Sequence, residues 1–348
     1  MQPWHRTERR IRSRIFASPF VLSNALTRYE IHGREHLLAA LKHRRRTGTG
    51  IISISNHQSL FDDPIVLHAL LGISDLNVET KVWWSTPCES NFSPRGSGLS
   101  ARFVRYFSDI SNMVFMARPH KKGAVIEVPQ SYREVLWRRG GDALMSRVEM
   151  MARAAGLDVE DYLRRFVTPG DPREVATLNQ AGMVEACARV DCGDWLHFFP
   201  EGGLSRDGEL RPPKHGVGKV LYHSRDALVL PFCFTGMQDV MPVKAVLPRP
   251  LKRVVVKVGE PVPARRLELM RRGELSPELF KGLSELAWDE VRALWPEVRA
   301  RHARQAIPAP APRRELVLPQ PARPAAAAGP PSVPVPAAQQ PFVSAPRG

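Results

Sequence analysis

The 348-residue chain is 43% hydrophobic and carries 50 Lys and Arg against 35 Asp and Glu, for a formal net charge of +15 and a pI near 10.2. Such a chain buries an ordinary core, in one large α/β domain with appendages or in two average domains, and no run approaches the roughly 18 apolar residues of a spanning helix. Its basic surface draws nucleic acid, anionic lipid or phosphorylated substrates, but no zinc finger, ribonucleoprotein motif or basic zipper accompanies the charge.

Residues 1–21 form a basic amino-terminal segment that includes Arg6, Arg9, Arg10, Arg12 and Arg14. The apolar stretch that follows is broken by Ser, Pro and Asn and has no small-residue cleavage site, so no secretory signal is expected. Cys88, Cys187, Cys192 and Cys233 are too sparse for a disulfide framework and lack zinc-like pairing, which predicts reduced thiols in a cytosolic setting.

GIISIS (50–55) is a β-branched run after a glycine and predicts a buried strand. NHQSLFDDP (56–64) then sets His57 five residues ahead of Asp62. On one continuous helix the two would stand about 140° apart, so a shared helical face cannot join them. A turn can. His57 would leave the strand end and Asp62 would precede a helix starting at Pro64, with Asp63 as its N-cap. A carboxylate that accepts from one imidazole nitrogen leaves the other free as a base. The same residues also read as an acidic helix start beside a polar turn histidine, and the spacing alone does not choose.

Further strands are predicted at 112–118 (NMVFMAR), 194–200 (DWLHFFP), 227–234 and 253–262, and a helix over 279–304 with Leu283, Leu286, Ala287 and Val291 on one face. Arg118, at the end of the first of these strands, is a candidate phosphate partner. Over 142–166, Leu144, Val148, Met151 and Ala155 make the apolar stripe of an amphipathic helix, which fits either a core face or a membrane face. FFPEGGLSRDG (198–208) places Glu201 at the carboxyl end of a strand, where α/β proteins bind ligands. Gly202 and Gly203 allow tight curvature and offer amides for an anion nest, with an ordinary glycine turn as the plain alternative. KHGVGK (214–219) lacks the upstream Gly and the following Ser or Thr of a P-loop, which excludes an NTPase. Residues 305–348 are rich in Pro and Ala and predict a disordered tail. Strands alternating with helices over 22–304 place the chain in the α/β class, as a single domain with a mixed, mostly parallel sheet flanked by helices.

In order and spacing, NHQSLFDDP, MVFMAR, FFPEGGLSRDG and VLPF resemble the four blocks of the glycerolipid acyltransferase superfamily, the 1-acylglycerol-3-phosphate acyltransferase-like proteins. The likeness runs from about Leu22 to Val262, with 119–178 as a variable, partly amphipathic helical insertion. Within the superfamily, the doubled DDP, GDWLHFFPEG, KHGVGK and TGMQDVMP (235–242) resemble the tafazzin branch of phospholipid–lysophospholipid transacylases.

The resemblance implies that His57 is the general base for an acceptor hydroxyl and that Asp62 orients it. The resulting oxygen would attack an acyl carbonyl through a tetrahedral intermediate with no acyl-enzyme. Glu201, Gly202 and Gly203 fall in the acceptor-binding block, Arg118 matches the arginine that holds the acceptor phosphate, and neither a metal nor a cofactor is implied. Ala117 stands where many glycerol-phosphate acyltransferases carry an acid, and GLSR follows PEG where acyl-CoA-dependent relatives often have TRS. The acceptor implied is a lysophospholipid, with a phospholipid as the favoured donor. The alternative is an acyl-CoA-dependent enzyme making phosphatidic acid, and a second alternative is a non-catalytic basic protein that binds lipid or nucleic acid. The expected location is peripheral, on the cytoplasmic face of an anionic membrane surface, with no spanning helix and no nucleic-acid partner.

Overall fold

A computed structural model describes residues 25–59, 62–71, 83–86, 113–114, 116, 132–164, 173–224, 227–242, 245, 248–273 and 276–304. Arg118, the segment 1–21, the tail 305–348 and parts of 119–178 lie outside the described residues. Those described belong to one unit.

In chain order the elements are β1 (Arg28–His32), α1 (Arg34–Thr47), β2 (Ile51–Ile54), α2 (Asp62–Leu70), β3 (Trp83–Ser85), α3 (Tyr132–Ala154), α4 (Val159–Arg164), α5 (Arg173–Asp191), β4 (Trp195–Phe198), α6 (Gly216–His223), β5 (Leu228–Thr235), α7 (Met237–Val240), β6 (Arg253–Val258), α8 (Ala264–Arg271) and α9 (Pro277–Arg304). The strands form one six-stranded sheet in the order β1-β6-β5-β2-β4-β3. All neighbours are parallel except β5 and β6, which are antiparallel. The expected mixed, mostly parallel sheet is therefore present. Of the strand predicted at 112–118, Met113 makes a parallel bridge to Ser85.

Helices cover both faces of the sheet, because a parallel strand that is apolar on both sides must be packed on both sides. Ile52, Ile54, Leu196, Phe198, Val229 and Cys233 point into a core shared with α3, α5, α6 and α9. Ile51, Trp195, Leu230, Phe232 and Phe234 point the other way, against α1, α2 and α7. The period of two along each strand divides the apolar residues between the layers.

Leu283, Ala287 and Val291 are buried on α9, as their spacing predicts, and Leu286 packs partly buried against the same core. On α3, Leu144 and Val148 are fully buried, and Met151 and, just past the helix end, Ala155 pack partly buried against the same core. The amphipathic stripe is thus a core face, not a membrane face. Arg147 ties α3 down from outside the stripe, bonding Asp194 Oδ1 at 3.0 Å and the Cys192 carbonyl at 2.6 Å.

The glycines of KHGVGK also acquire a role in packing. A Cβ on Gly218 would lie 1.9 Å from the Phe280 carbonyl oxygen, and the Gly218 amide donates to Ser284 Oγ at 2.9 Å. Gly218 is the point at which α6 crosses α9 in backbone contact.

Candidate active site

His57 and Glu201 each lie three residues beyond paired strand ends, Ile54 on β2 and Phe198 on β4. The ladder continues one step further through Ser55 N–H donating to the Phe198 carbonyl at 3.1 Å. Asn56 then locks the end of β2 to its other neighbour. Its Nδ2 donates to the Phe234 carbonyl at 2.8 Å, and its Oδ1 accepts from the Phe234 amide at 3.0 Å. A side-chain amide reproduces a peptide edge here and continues the sheet for one rung without a strand.

Beyond Asn56 the chain turns and α2 begins. Asp62 is fully buried, and its Oδ2 accepts from the amides of Gln58 at 2.5 Å and Ser59 at 2.8 Å and stands 3.0 Å from His57 Nδ1. His57 and Asp62 therefore meet although no single helical face joins them. With Nδ1–H donated to Asp62, the lone pair sits on Nε2. His57 stacks on Phe199, with ring centroids 3.9 Å apart and planes 15° apart, and keeps about a fifth of its side-chain surface open (18%).

Asp63 departs from expectation. The helix starts at Asp62, not Pro64, so Asp63 lies inside the first turn and does not cap it. It is buried instead, accepting from Ser85 Oγ on β3 through Oδ2, while Oδ1 stands 3.2 Å from His197 Nε2. Burial, only partly countered by the Ser85 bond, raises the Asp63 carboxyl to about 8.

His197 is buried on β4, with Nδ1 2.8 Å from Ser53 Oγ and Nε2 3.2 Å from Ser55 Oγ. Trp195 Nε1 donates to the same Ser53 oxygen at 2.8 Å. Burial, with His57 nearby, lowers His197 to about 3. His197 stacks on Phe232 and meets Phe199 edge-on at 4.7 Å, so Phe199 separates the two histidines.

Glu201 is buried, and among the described residues neither carboxyl oxygen meets a donor in full hydrogen-bond geometry, although the His57 and Arg211 amides lie near it. Burial raises its carboxyl to about 8, while the nearby His57 amide and Arg211 pull the other way without reversing it. Gly202 adopts φ +65°, and its amide donates to the Phe199 carbonyl at 3.0 Å, closing the turn. That amide is thereby spent, so an anion nest built on it is not available. A Cβ on Gly202 would meet Lys214 Cδ at 2.7 Å, because the Lys214 side chain lies across the glycine. A Cβ on Gly203 would meet open space among the described residues. Ser205 N–H donates to the His57 carbonyl at 2.7 Å, which fastens the segment after the turn over the histidine.

The structure thus brings His57, Asp62, Glu201, Gly202 and Gly203 to one end of the sheet. It adds Asn56, Asp63, His197, Phe199 and Lys214, which sequence reasoning had not assigned to the site. Among the described residues no group of three or more His, Cys, Asp or Glu side chains is arranged to hold a metal ion. A cleft of about 620 Å³ along α3, lined by Arg133, Trp137 and Glu149 among others, contains none of the site residues.

The profile of the Acyltransferase family matches residues 28–235, from β1 to the end of β5. The chain is similar to the N-acylphosphatidylethanolamine synthase of Arabidopsis thaliana, with 24% identity over 249 residues, 69% of this chain and 65% of that one. It is similar to the tafazzin of Drosophila melanogaster, with 23% identity over 284 residues, 80% of this chain and 57% of that one. A shorter match, 36% identical over 89 residues, covers 24% of this chain and 31% of the taffazin of Dictyostelium discoideum. The chain spans less than two thirds of the length of each of these relatives.

Proposed function

The chain belongs to the Acyltransferase family, and from that premise we propose that it transfers a fatty acyl chain to the hydroxyl of a lysophospholipid, taking it from a phospholipid donor in tafazzin-like transacylation. The observation that carries this is the 3.0 Å contact between His57 Nδ1 and a buried Asp62 carboxyl that also accepts two backbone amides.

Three acceptor bonds on one oxygen fix the carboxyl, the carboxyl fixes the imidazole, and His57 Nε2 takes the acceptor's proton as its oxygen attacks the acyl carbonyl. The tetrahedral intermediate collapses with loss of the donor's alkoxide or thiolate, which recovers the proton from His57. With its carboxyl raised to about 8 by burial, Glu201 offers a hydroxyl donor and a carbonyl acceptor to a substrate oxygen in this proposal. Arg118 holds the acceptor phosphate in this proposal, and Gly203 leaves room for the headgroup.

Attachment to the membrane is peripheral in this proposal. Among the described residues no helix is long and apolar enough to cross a membrane. Trp137 and Met150 expose 56% and 61% of their surface on α3, which suits insertion of a few side chains into an anionic surface. Flotation with anionic vesicles tests the attachment, which fails if the protein remains behind.

The activity is tested by offering lysophospholipid with labelled phosphatidylcholine or with labelled acyl-CoA in parallel assays. Label moving from phosphatidylcholine, and lost in His57→Ala, is the expected result. Label moving only from acyl-CoA would assign the donor to the thioester and leave the base in place. The name of the Arabidopsis relative makes the amine of phosphatidylethanolamine the control acceptor for the same assay.

A further inference from the structure

Leu251 follows Pro250 in the turn before β6 and adopts φ +60°, and among the described residues it is the one non-glycine residue with a positive φ. A Cβ in this region crowds the following carbonyl oxygen, which is why turns place Gly or Asn there. Burial does not compensate, since Leu251 exposes 67% of its surface. A singly exposed leucine needs no explanation. One that is both strained and exposed gains the fold nothing through its side chain.

Leu251 also has company. Its amide donates to the Leu26 carbonyl at 2.6 Å, and the Arg28 amide donates to the Lys252 carbonyl at 2.8 Å, which laces the start of β1 to the turn. Leu26 is itself 45% exposed. Arg28, Arg249 and Lys252 flank the two leucines in sequence and are exposed. Among the described residues none of the three has an ion pair, and Glu30, the acid of β1, is already shared by His32, Arg253 and Arg301.

Strand directions put this corner at the catalytic end of the sheet. β2 runs toward His57, β5 is parallel to it and β6 is antiparallel to β5, so β6 begins where β2 and β5 end. β1 is parallel to β6, with Arg28 opposite Arg253, and begins at that end too. Trp137 and Met150 on α3 can add apolar contact, but Arg147 between them bonds Asp194 at the amino end of β4, the end away from His57.

We propose that Leu26 and Leu251, with Arg28, Arg249 and Lys252 around them, form a docking corner for an anionic bilayer surface, and that docking there turns the catalytic end of the sheet toward the lipid. The leucines suit shallow insertion among acyl chains, and the cations suit lipid phosphates and carboxylates at the same depth. A nucleic acid would engage the cations but offer the leucines no apolar medium. The choice of lipid as partner rests on the peripheral attachment proposed above; the geometry of the corner does not.

The full chain is tested by co-sedimentation with vesicles of phosphatidylcholine, alone and with added phosphatidylserine. Wild type binds the mixed vesicles and loses binding as salt rises. Leu251→Gly unfolds at the wild-type temperature or above it, because glycine accepts φ +60°, yet binds mixed vesicles about tenfold more weakly. The double variant Arg249→Ser, Lys252→Ser loses about fivefold per cation and depends less on salt. In Leu251→Gly, acyl transfer to lysophospholipid held in mixed vesicles falls with binding. Transfer to a short-chain lysophospholipid dissolved as monomers stays at the wild-type rate. Vesicle binding unchanged in Leu251→Gly overturns the proposal, as does a loss of binding matched by a loss of thermal stability. Binding that depends on the two cations alone and is competed by duplex DNA marks a general polyanion patch and overturns it too. If wild type ignores both kinds of vesicle, the peripheral attachment fails with the corner. If it binds vesicles but transfers no acyl chain, the proposed activity fails, and the vesicle binding of Leu251→Gly still decides the corner.

Discussion

Asn56 and Phe234, 178 positions apart, are joined by a reciprocal pair of hydrogen bonds between the Asn56 carboxamide and the Phe234 backbone, at 2.8 and 3.0 Å. The residue immediately before the candidate base is therefore fixed to β5, one of the two central strands of the sheet, not to its own turn. Replacement by Ala leaves a buried N–H and a buried C=O of β5 unpaired, at about 1–3 kcal/mol each. Asn56→Ala is expected to lower the stability read from urea unfolding by about 2 kcal/mol or more. Asn56→Asp should also destabilise, since it keeps the acceptor and loses the donor.

Removing the acceptor that organises the turn has a separate signature. Asp62→Ala takes away the partner of the Gln58 and Ser59 amides together with that of His57. Activity should fall by about 10²-fold or more, and unfolding should shift as well, because two buried amides lose their partner. His57→Ala should abolish activity with little change in the unfolding midpoint, since that ring is part-exposed and, among the described residues, bonds through Nδ1 alone. Equal thermal shifts in the two variants would argue against Asp62 as the organiser.

Glu201 makes stability depend on pH. Its carboxyl is raised to about 8, above its ordinary value near 4.5, because burial penalises the charged form. A carboxyl raised on folding means that the native state binds more protons than the unfolded chain between those two values, so stability falls as pH climbs through that window. The contribution is fully present below pH 4.5 and gone above about 8. Glu201→Gln cannot ionise and should flatten this part of the profile, matching wild type at pH 4.5 and unfolding at a higher temperature at pH 8.5. Melting curves across that range provide the check, and parallel profiles would mean that Glu201 is ionised in the fold.

Gly202→Ala meets two obstacles of different kinds. The backbone at φ +65° disfavours any Cβ by roughly 1–2 kcal/mol, and the new methyl group would displace the Lys214 side chain. The lysine end is flexible and can swing away, so the backbone should account for most of the lost stability. Adding Lys214→Ala to Gly202→Ala should therefore restore little of it in a double-mutant comparison. Full recovery would show that the collision, not the dihedral angle, dominates.

What could be read from the sequence followed from locality. His57 and Asp62 were joinable because five residues and a helix start define one turn, and Glu201 was assignable because a glycine turn follows an apolar strand. The strands and the carboxyl-terminal helix were equally visible, since each carries its own periodicity. Asp63 was misplaced because a helix beginning two residues earlier gives the same acidic pattern in one dimension, and only burial tells a capping carboxyl from a core one. His197 had no signal. Its meaning arises from Ser53 and Ser55 on the neighbouring strand, and the pairing of β2 with β4 is a property of sheet order that neither segment encodes alone. The same holds for Gly218, whose neighbour Phe280 belongs to another helix.

The antiparallel strand β6 has a consequence for how the molecule is made. β1 opens the described chain but bonds only to β6, with Arg28 opposite Arg253 and His32 opposite Lys257. On the ribosome β1 emerges before β6, its strand partner among the described residues, and waits until β6 has been synthesised, after both His57 and Glu201 have left the exit tunnel. The sheet can be completed only once Arg253–Val258 has been made, when that strand inserts between β5 and the waiting β1. A nascent chain stalled before residue 253 would carry every candidate catalytic residue and still lack the strand that seats its own beginning.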